Sequence, residues 1–175
     1  SMVSLDHPIK DQLIVMTAPS KTFNLAGAGI SNILIPNDDV RAHFEKGLQD
    51  HFVHVSNALA YKMTELAFNK GEAWLDECLE VIQKNRDLCY DFFAKQPKMK
   101  AYPLQGTYLL WVDCNGLGLT PKELEHFMTH DAEIFTDQGY IFGPEGEGFE
   151  RLNIAMPTAV LQETLERLDR AVKNL

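Results

Sequence analysis

Cysteine is scarce in this sequence: Cys78, Cys89 and Cys114 are odd in number, widely spaced and form no Cys-x-x-Cys pair. A disulfide framework or a structural zinc site is therefore not expected; reduced, packed thiols are. Positive charge is also in short supply, with 16 lysines and arginines against 25 acidic residues, a formal charge of −9 and no basic run. This disfavours nucleic acid as a partner. No apolar stretch approaches the length needed to cross a bilayer, and the first residues lack the charged-then-apolar pattern of a secretory signal. A cytoplasmic protein with no membrane association is expected. His126 and His130 are four apart and His51 and His54 three apart, but neither pair has a clear third ligand nearby, so no metal is assigned. Internal repeats and low-complexity segments are missing too.

What remains is the composition of an ordinary globular protein, 45% hydrophobic and 23% charged over 175 residues, enough for one or two compact units. Leu13 to Met16 reads as a strand, followed by turn chemistry at Pro19-Ser20, a small-residue passage at 26–29 and a second strand from Ile30 to Ile35. Asn37 caps a helix with the stripe Val40, Phe44 and Leu48. Ser56 or Asn57 caps another, with Leu59, Met63, Leu66 and Ala67 on its buried face. From Glu72 the longest helix carries Trp74, Cys78, Val81, Ile82, Cys89 and Phe92 on one stripe and stops before Pro97. Tyr108 to Val112 is an uninterrupted apolar run, which suits a central strand covered on both faces.

Thr120-Pro121-Lys122-Glu123 has the pattern of a capping box with proline at the first helical position, so a helix through Met128 is expected. Ala132 to Phe135 is a short strand candidate. The polar loop 143–148 leads into a strand from Arg151 to Ala155, on which Arg151 and Asn153 share a face. Glu145, Glu147 and Glu150 read as solvated loop charge. A last helix from near Thr158 buries Leu161, Leu165, Leu168 and Val172. Strands separated by helices make this an α/β chain in two parts.

The chain is centred on Thr17-Ala18-Pro19-Ser20-Lys21-Thr22-Phe23-Asn24, where a strand delivers a lysine among hydroxyls and small residues. A poorly solvated lysine amine loses its proton more readily and attacks aldehydes, although most lysines are solvated surface charges. The segment from Ala18 to Gly27 resembles the cofactor-lysine segment of fold-type I pyridoxal-phosphate enzymes, in the class I/II aminotransferase group and its MalY/PatB-type, cystathionine β-lyase-like branch. The resemblance continues in the family's order through Ser56-Asn57-Ala58-Leu59, Trp74-Leu75, Asn85-Arg86, Gly106-Thr107-Tyr108 with Trp111-Val112-Asp113, and Phe149-Glu150-Arg151-Leu152-Asn153.

The resemblance implies that residues 1–71 are the tail of a large cofactor-binding domain and 72–175 a smaller α+β carboxy-terminal domain. It implies pyridoxal 5'-phosphate as cofactor, carried by Lys21 as an aldimine, with Lys21 then moving the proton of the substrate's α-carbon. Thr17, Ser20 and Thr22 would offer hydroxyls to the phosphate, and Arg151 would hold the α-carboxylate of an amino-acid substrate with its guanidinium fork. The alternative for Arg151 is a strand-edge arginine paired with an acidic neighbour such as Glu150. Tyr108 would border the substrate pocket or else be a core aromatic. Many fold-type I aminotransferases carry a phosphate-binding arginine eight residues after the lysine; that position is Gly29 here, a departure the lyase-like branch tolerates.

By the same resemblance the chain is about half the family's length and corresponds to its carboxy-terminal half. The aspartate that pairs with the cofactor's ring nitrogen has no counterpart here, so weak cofactor binding is expected of the chain alone. The expected function is that of a fragment of an aminotransferase or carbon–sulfur β-lyase, from a family of homodimers. The alternative is a non-catalytic truncated α/β domain serving self-association or partner binding.

Overall fold

The computed structural model describes residues 2–4, 6–53 and 58–175, and the chain divides into two compact units, Ser1–Asp76 and Glu77–Leu175. In the first unit, strand β1 (Val15–Thr17) pairs antiparallel with β2 (Asn32–Leu34), Met16 opposite Ile33. Both strands are shorter than the apolar runs that announce them. Helix α1 (Asp38–Asp50) begins as expected, the Asn37 side chain accepting from the Val40 amide at 3.0 Å. Val40, Phe44 and Leu48 are half-buried along it.

Helix α2 (Ala58–Lys70) differs from its expectation. Leu59, Met63 and Leu66 are exposed, Leu59 by 74%, whereas Ala60 is buried and Thr64 and Ala67 half-buried. The small-residue face packs inward because close approach needs short side chains, which leaves the large apolar face open. The caps expected at Ser56 or Asn57 lie outside the described residues.

Helix α3 (Glu72–Phe93) is the longest among the described residues. Its inward face in the second unit is Cys78, Ile82, Asn85, Cys89 and Phe93; Val81 lies on the exposed side. Placing Asn85 on that face leaves a polar side chain in an apolar interior. Its Nδ2 donates to the carbonyls of Ile154 at 2.9 Å and Met156 at 2.8 Å, while Oδ1 is buried without a partner among the described residues.

The second unit is built on a four-stranded antiparallel sheet, order β3-β4-β6-β5, from β3 (Lys100–Ala101), β4 (Leu109–Asp113), β5 (Asp137–Gln138) and β6 (Phe149–Asn153). β4 is an inner strand as expected, but its burial alternates: Leu110 and Val112 are buried while Leu109, Trp111 and Asp113 are half-buried. The apolar run is thus covered fully on one face only. Opposite it, Leu152 pairs with Leu110 and Glu150 with Val112 on the same face. That face packs on a core completed by Leu124 of α4 (Pro121–His126) and by Leu161, Leu165 and Leu168 of α5 (Thr158–Lys173).

The Thr120 capping box is present: the Thr120 amide donates to Glu123 Oε2 at 2.8 Å and the Glu123 amide to Thr120 Oγ1 at 3.4 Å. Beyond His126 the helix widens into a π-turn, Phe127–Asp131, rather than ending at Met128. Residues 132–135 form no strand: the Ala132 and Ile134 amides donate back to the carbonyls of Phe127 at 2.9 Å and Met128 at 2.7 Å, and Glu133 has a φ of 54°, which breaks the extended backbone.

Candidate active site

In the first unit, β1 ends at Thr17 and the chain turns at once. The Phe23 amide donates to the Pro19 carbonyl at 2.9 Å and the Leu25 amide to the Ser20 carbonyl at 3.0 Å. Asn24 takes a φ of 54°, a conformation asparagine tolerates better than most residues. Two residues anchor the turn: Pro19 is buried, and the Phe23 ring meets Phe68 edge-on at 5.9 Å and stacks on Trp74 at 6.2 Å. A Cβ at Gly71 would lie 2.7 Å from that ring and 2.5 Å from the Ala67 carbonyl, so only glycine lets the chain pass there.

Lys21 is carried between these anchors. It is exposed, as are Thr17 and Thr22, while Ser20 is half-buried. Among the described residues no carboxylate pairs with the Lys21 amine, and no internal hydrogen bond engages the hydroxyls of Thr17, Ser20 or Thr22. One primary amine and three hydroxyls are therefore held in a fixed turn with their bonding capacity unused. That donor set fits a ligand combining an aldehyde with a phosphate. The first unit does not itself desolvate the amine.

In the second unit the face of the sheet opposite the core carries a different chemistry. Trp111 stacks on Phe149 at 5.6 Å with an interplanar angle of 11°, and Phe142 meets Trp111 edge-on at 5.8 Å. Arg151 stands in this aromatic group, directly across from Trp111 on one side and Asp137 on the other. Its Nε donates to Asp137 Oδ2 at 3.0 Å and its Nη2 to the same oxygen at 2.6 Å, and the guanidinium carbon sits 4.6 Å from the Phe142 ring centre. The expected acidic neighbour, Glu150, is not its partner: side chains alternate along β6, so Glu150 points to the opposite face.

Glu150 is not solvated loop charge either. It is 1% exposed and accepts a hydrogen bond from Thr136 Oγ1 at 2.6 Å. Burial pushes its carboxyl up to about 7, the Glu125 and Asp137 carboxylates adding to the effect and the Thr136 bond opposing it. The Cys89 and Cys114 thiols are likewise pushed up by burial, which makes them inert packing.

Tyr108 is half-buried and packs against the core, and its carbonyl accepts from the Ile154 amide at 2.9 Å. The preceding Thr107 holds a φ of 67°, an outlier for a β-branched residue. His126 and His130 stack at 4.3 Å, and the described residues bring no third metal ligand to them. His54 lies outside the described residues.

Local periodicity missed Asp137, Phe142 and Glu150. Nothing local pairs residue 137 with 151; the register of β5 against β6 does. The signal that was available is the aspartate two residues before Gly139 and the aromatic just before Gly143, both ahead of the arginine strand.

The model of the family described as aminotransferase class I and II matches residues 3–168. The chain belongs to that family. It is similar to cystathionine beta-lyase PatB of Bacillus subtilis (strain 168), with 38% identity over 97% of this chain and 44% of the relative, and to cystathionine beta-lyase of Corynebacterium glutamicum, with 31% identity over 89% and 41%. Among solved structures, cystalysin from Treponema denticola, whose crystal structure contains a pyridoxal 5'-phosphate cofactor, superposes with a TM-score of 0.95 at 46% identity. The match covers 99% of this chain and 44% of cystalysin. The chain spans about half the length of the curated relatives it matches.

Proposed function

We propose that the chain is part of a pyridoxal-phosphate-dependent enzyme that acts on amino acids, an aminotransferase or a carbon–sulfur β-lyase. Residues 1–71 contribute the end of its large cofactor-binding domain and 72–175 its small carboxy-terminal domain. The observation that carries this reading is the turn at 17–22, where an amine and three hydroxyls, none engaged by another described residue, are held between two packed anchors.

Lys21 would hold the cofactor's carbonyl carbon, and Thr17, Ser20 and Thr22 its phosphate oxygens. When bound, the cofactor supplies an electron sink for charge that develops at the substrate's α-carbon. This chain's own contributions are three. The Lys21 amine moves the proton at that carbon. Arg151 binds the α-carboxylate by parallel hydrogen bonds, which fixes the substrate relative to the sheet. Tyr108, half-buried at the head of β4, borders the same substrate.

Incubation with pyridoxal 5'-phosphate, borohydride reduction and peptide mapping tests the assignment. Lys21 is expected to carry the modification ahead of every other lysine, and Lys21→Ala to leave only scattered labelling. Equal labelling of surface lysines in the unmodified chain would overturn it.

The enzyme works as a homodimer in the cytoplasm, where the unpaired thiols stay reduced. Exposed Phe52 (79%), Leu59 (74%) and Met16 (63%) in the first unit support self-association, since apolar surface of this kind drives chains together. Sedimentation velocity is expected to show dimers or larger species; a monomer across the micromolar range would remove the proposal.

A further inference from the structure

The guanidinium of Arg151 offers two edges to a carboxylate: the side edge, formed by Nε–H and one Nη2–H, and the end edge, formed by Nη1–H and the other Nη2–H. Asp137 occupies the side edge completely, both bonds converging on Oδ2 at 3.0 and 2.6 Å. Phe142 covers a face of the same group at 4.6 Å. Among the described residues Nη1 has no partner. The side chain as a whole keeps 30% of its exposure.

We propose that Asp137 is a positioning residue for Arg151, holding the side edge so that an incoming carboxylate is received end-on, through Nη1 and Nη2. This rests on the reading of Arg151 as the group that binds the substrate's α-carboxylate. Phe142 assists by covering one face, which hinders tilting of the guanidinium out of its plane. The arrangement has a physical reason in the sheet. A long arginine on an open strand face carries many rotamers, and an ion pair to the opposed residue of β5 removes most of them before the ligand arrives. Binding then requires no reorganisation of the arginine, and the approach direction of the carboxylate is set by the strand register: residue 137 stands opposite 151.

Nitrogen-15 spectroscopy of the arginine side chains in the full chain tests this without activity. In the unmodified protein the Arg151 Nε–H is expected to exchange with water at least about ten-fold more slowly than in Asp137→Ala, with Asp137→Asn intermediate, because its amide oxygen still accepts one bond. Acetate serves as the probe carboxylate. It is expected to shift the Arg151 Nη signals and leave Nε unmoved in the unmodified protein, but to shift Nε as well in Asp137→Ala, where the side edge is open. Unchanged amide spectra elsewhere in the sheet establish that the variants are folded, and Asp137→Asn serves if Asp137→Ala is not.

Equal Nε–H exchange in all three proteins, or an Nε shift with acetate in the unmodified one, overturns the positioning role alone. Acetate leaving Arg151 untouched in every protein, with the exchange difference present, overturns the carboxylate reading and the end-on proposal with it.

Discussion

Asn85→Asp is expected to destabilise the second unit by about 3–5 kcal/mol, although it changes one atom and creates no cavity. Asn85 is fully buried in α3 and its Nδ2 is the donor for two carbonyls, Ile154 and Met156, where β6 has ended and the chain turns toward α5. An aspartate presents oxygen to both. Either two buried acceptors face a buried charge, or the carboxyl takes up a proton and satisfies one carbonyl of the two. Asn85→Ala is milder, because it also deletes Oδ1, which no described residue engages, and so removes an existing penalty. Urea unfolding followed by Trp111 fluorescence, in a background with Trp74 replaced by phenylalanine, reads the second unit alone. A loss below about 1 kcal/mol for the aspartate variant would show that these carbonyls are met by other donors.

Glu150 gives the second large effect, and its sign is opposite to the usual behaviour of a carboxylate. Burial raises its folded-state pKa from an ordinary 4.5 to about 7. Between those values the folded chain keeps a proton that the unfolded chain has released, so its stability falls as the pH rises through this window. Below 4.5 both states are protonated and nothing is lost; above 7 the full penalty, of order 3 kcal/mol, is in force. Glu150→Gln keeps an acceptor for Thr136 and removes the ionisation. The variant is expected to match the unmodified protein near pH 4 and to exceed it by up to about 3 kcal/mol near pH 8. Parallel stability curves for the two proteins over this range would mean that Glu150 is solvated after all.

Both effects arise from side chains whose importance the sequence hides. Asn85 lies on a helix face that periodicity reads as an apolar stripe, and Glu150 follows two glutamates in a polar loop. Their burial is decided by what lies opposite, Val112 across the sheet for Glu150 and the end of β6 for Asn85. Helix α2 shows the converse error. Leu59, Met63 and Leu66 mark a face that should be buried, and it is exposed because a hydrophobic pattern states a preference and not the presence of a partner.

The sequence by itself determined the local features and the family. The Asn37 cap, the Thr120 capping box and the inward leucines of α5 close hydrogen bonds or repeat within a turn or two of chain, so nearby residues suffice to specify them. Ordered motifs from Ala18 to Asn153 sufficed for the kinship. Only the tertiary structure decided that Arg151 faces Asp137 rather than Glu150 and that Glu150 is buried. Those facts depend on strand register and on which face meets the core, and the side chains concerned are fourteen residues apart in the chain, beyond the reach of any local rule.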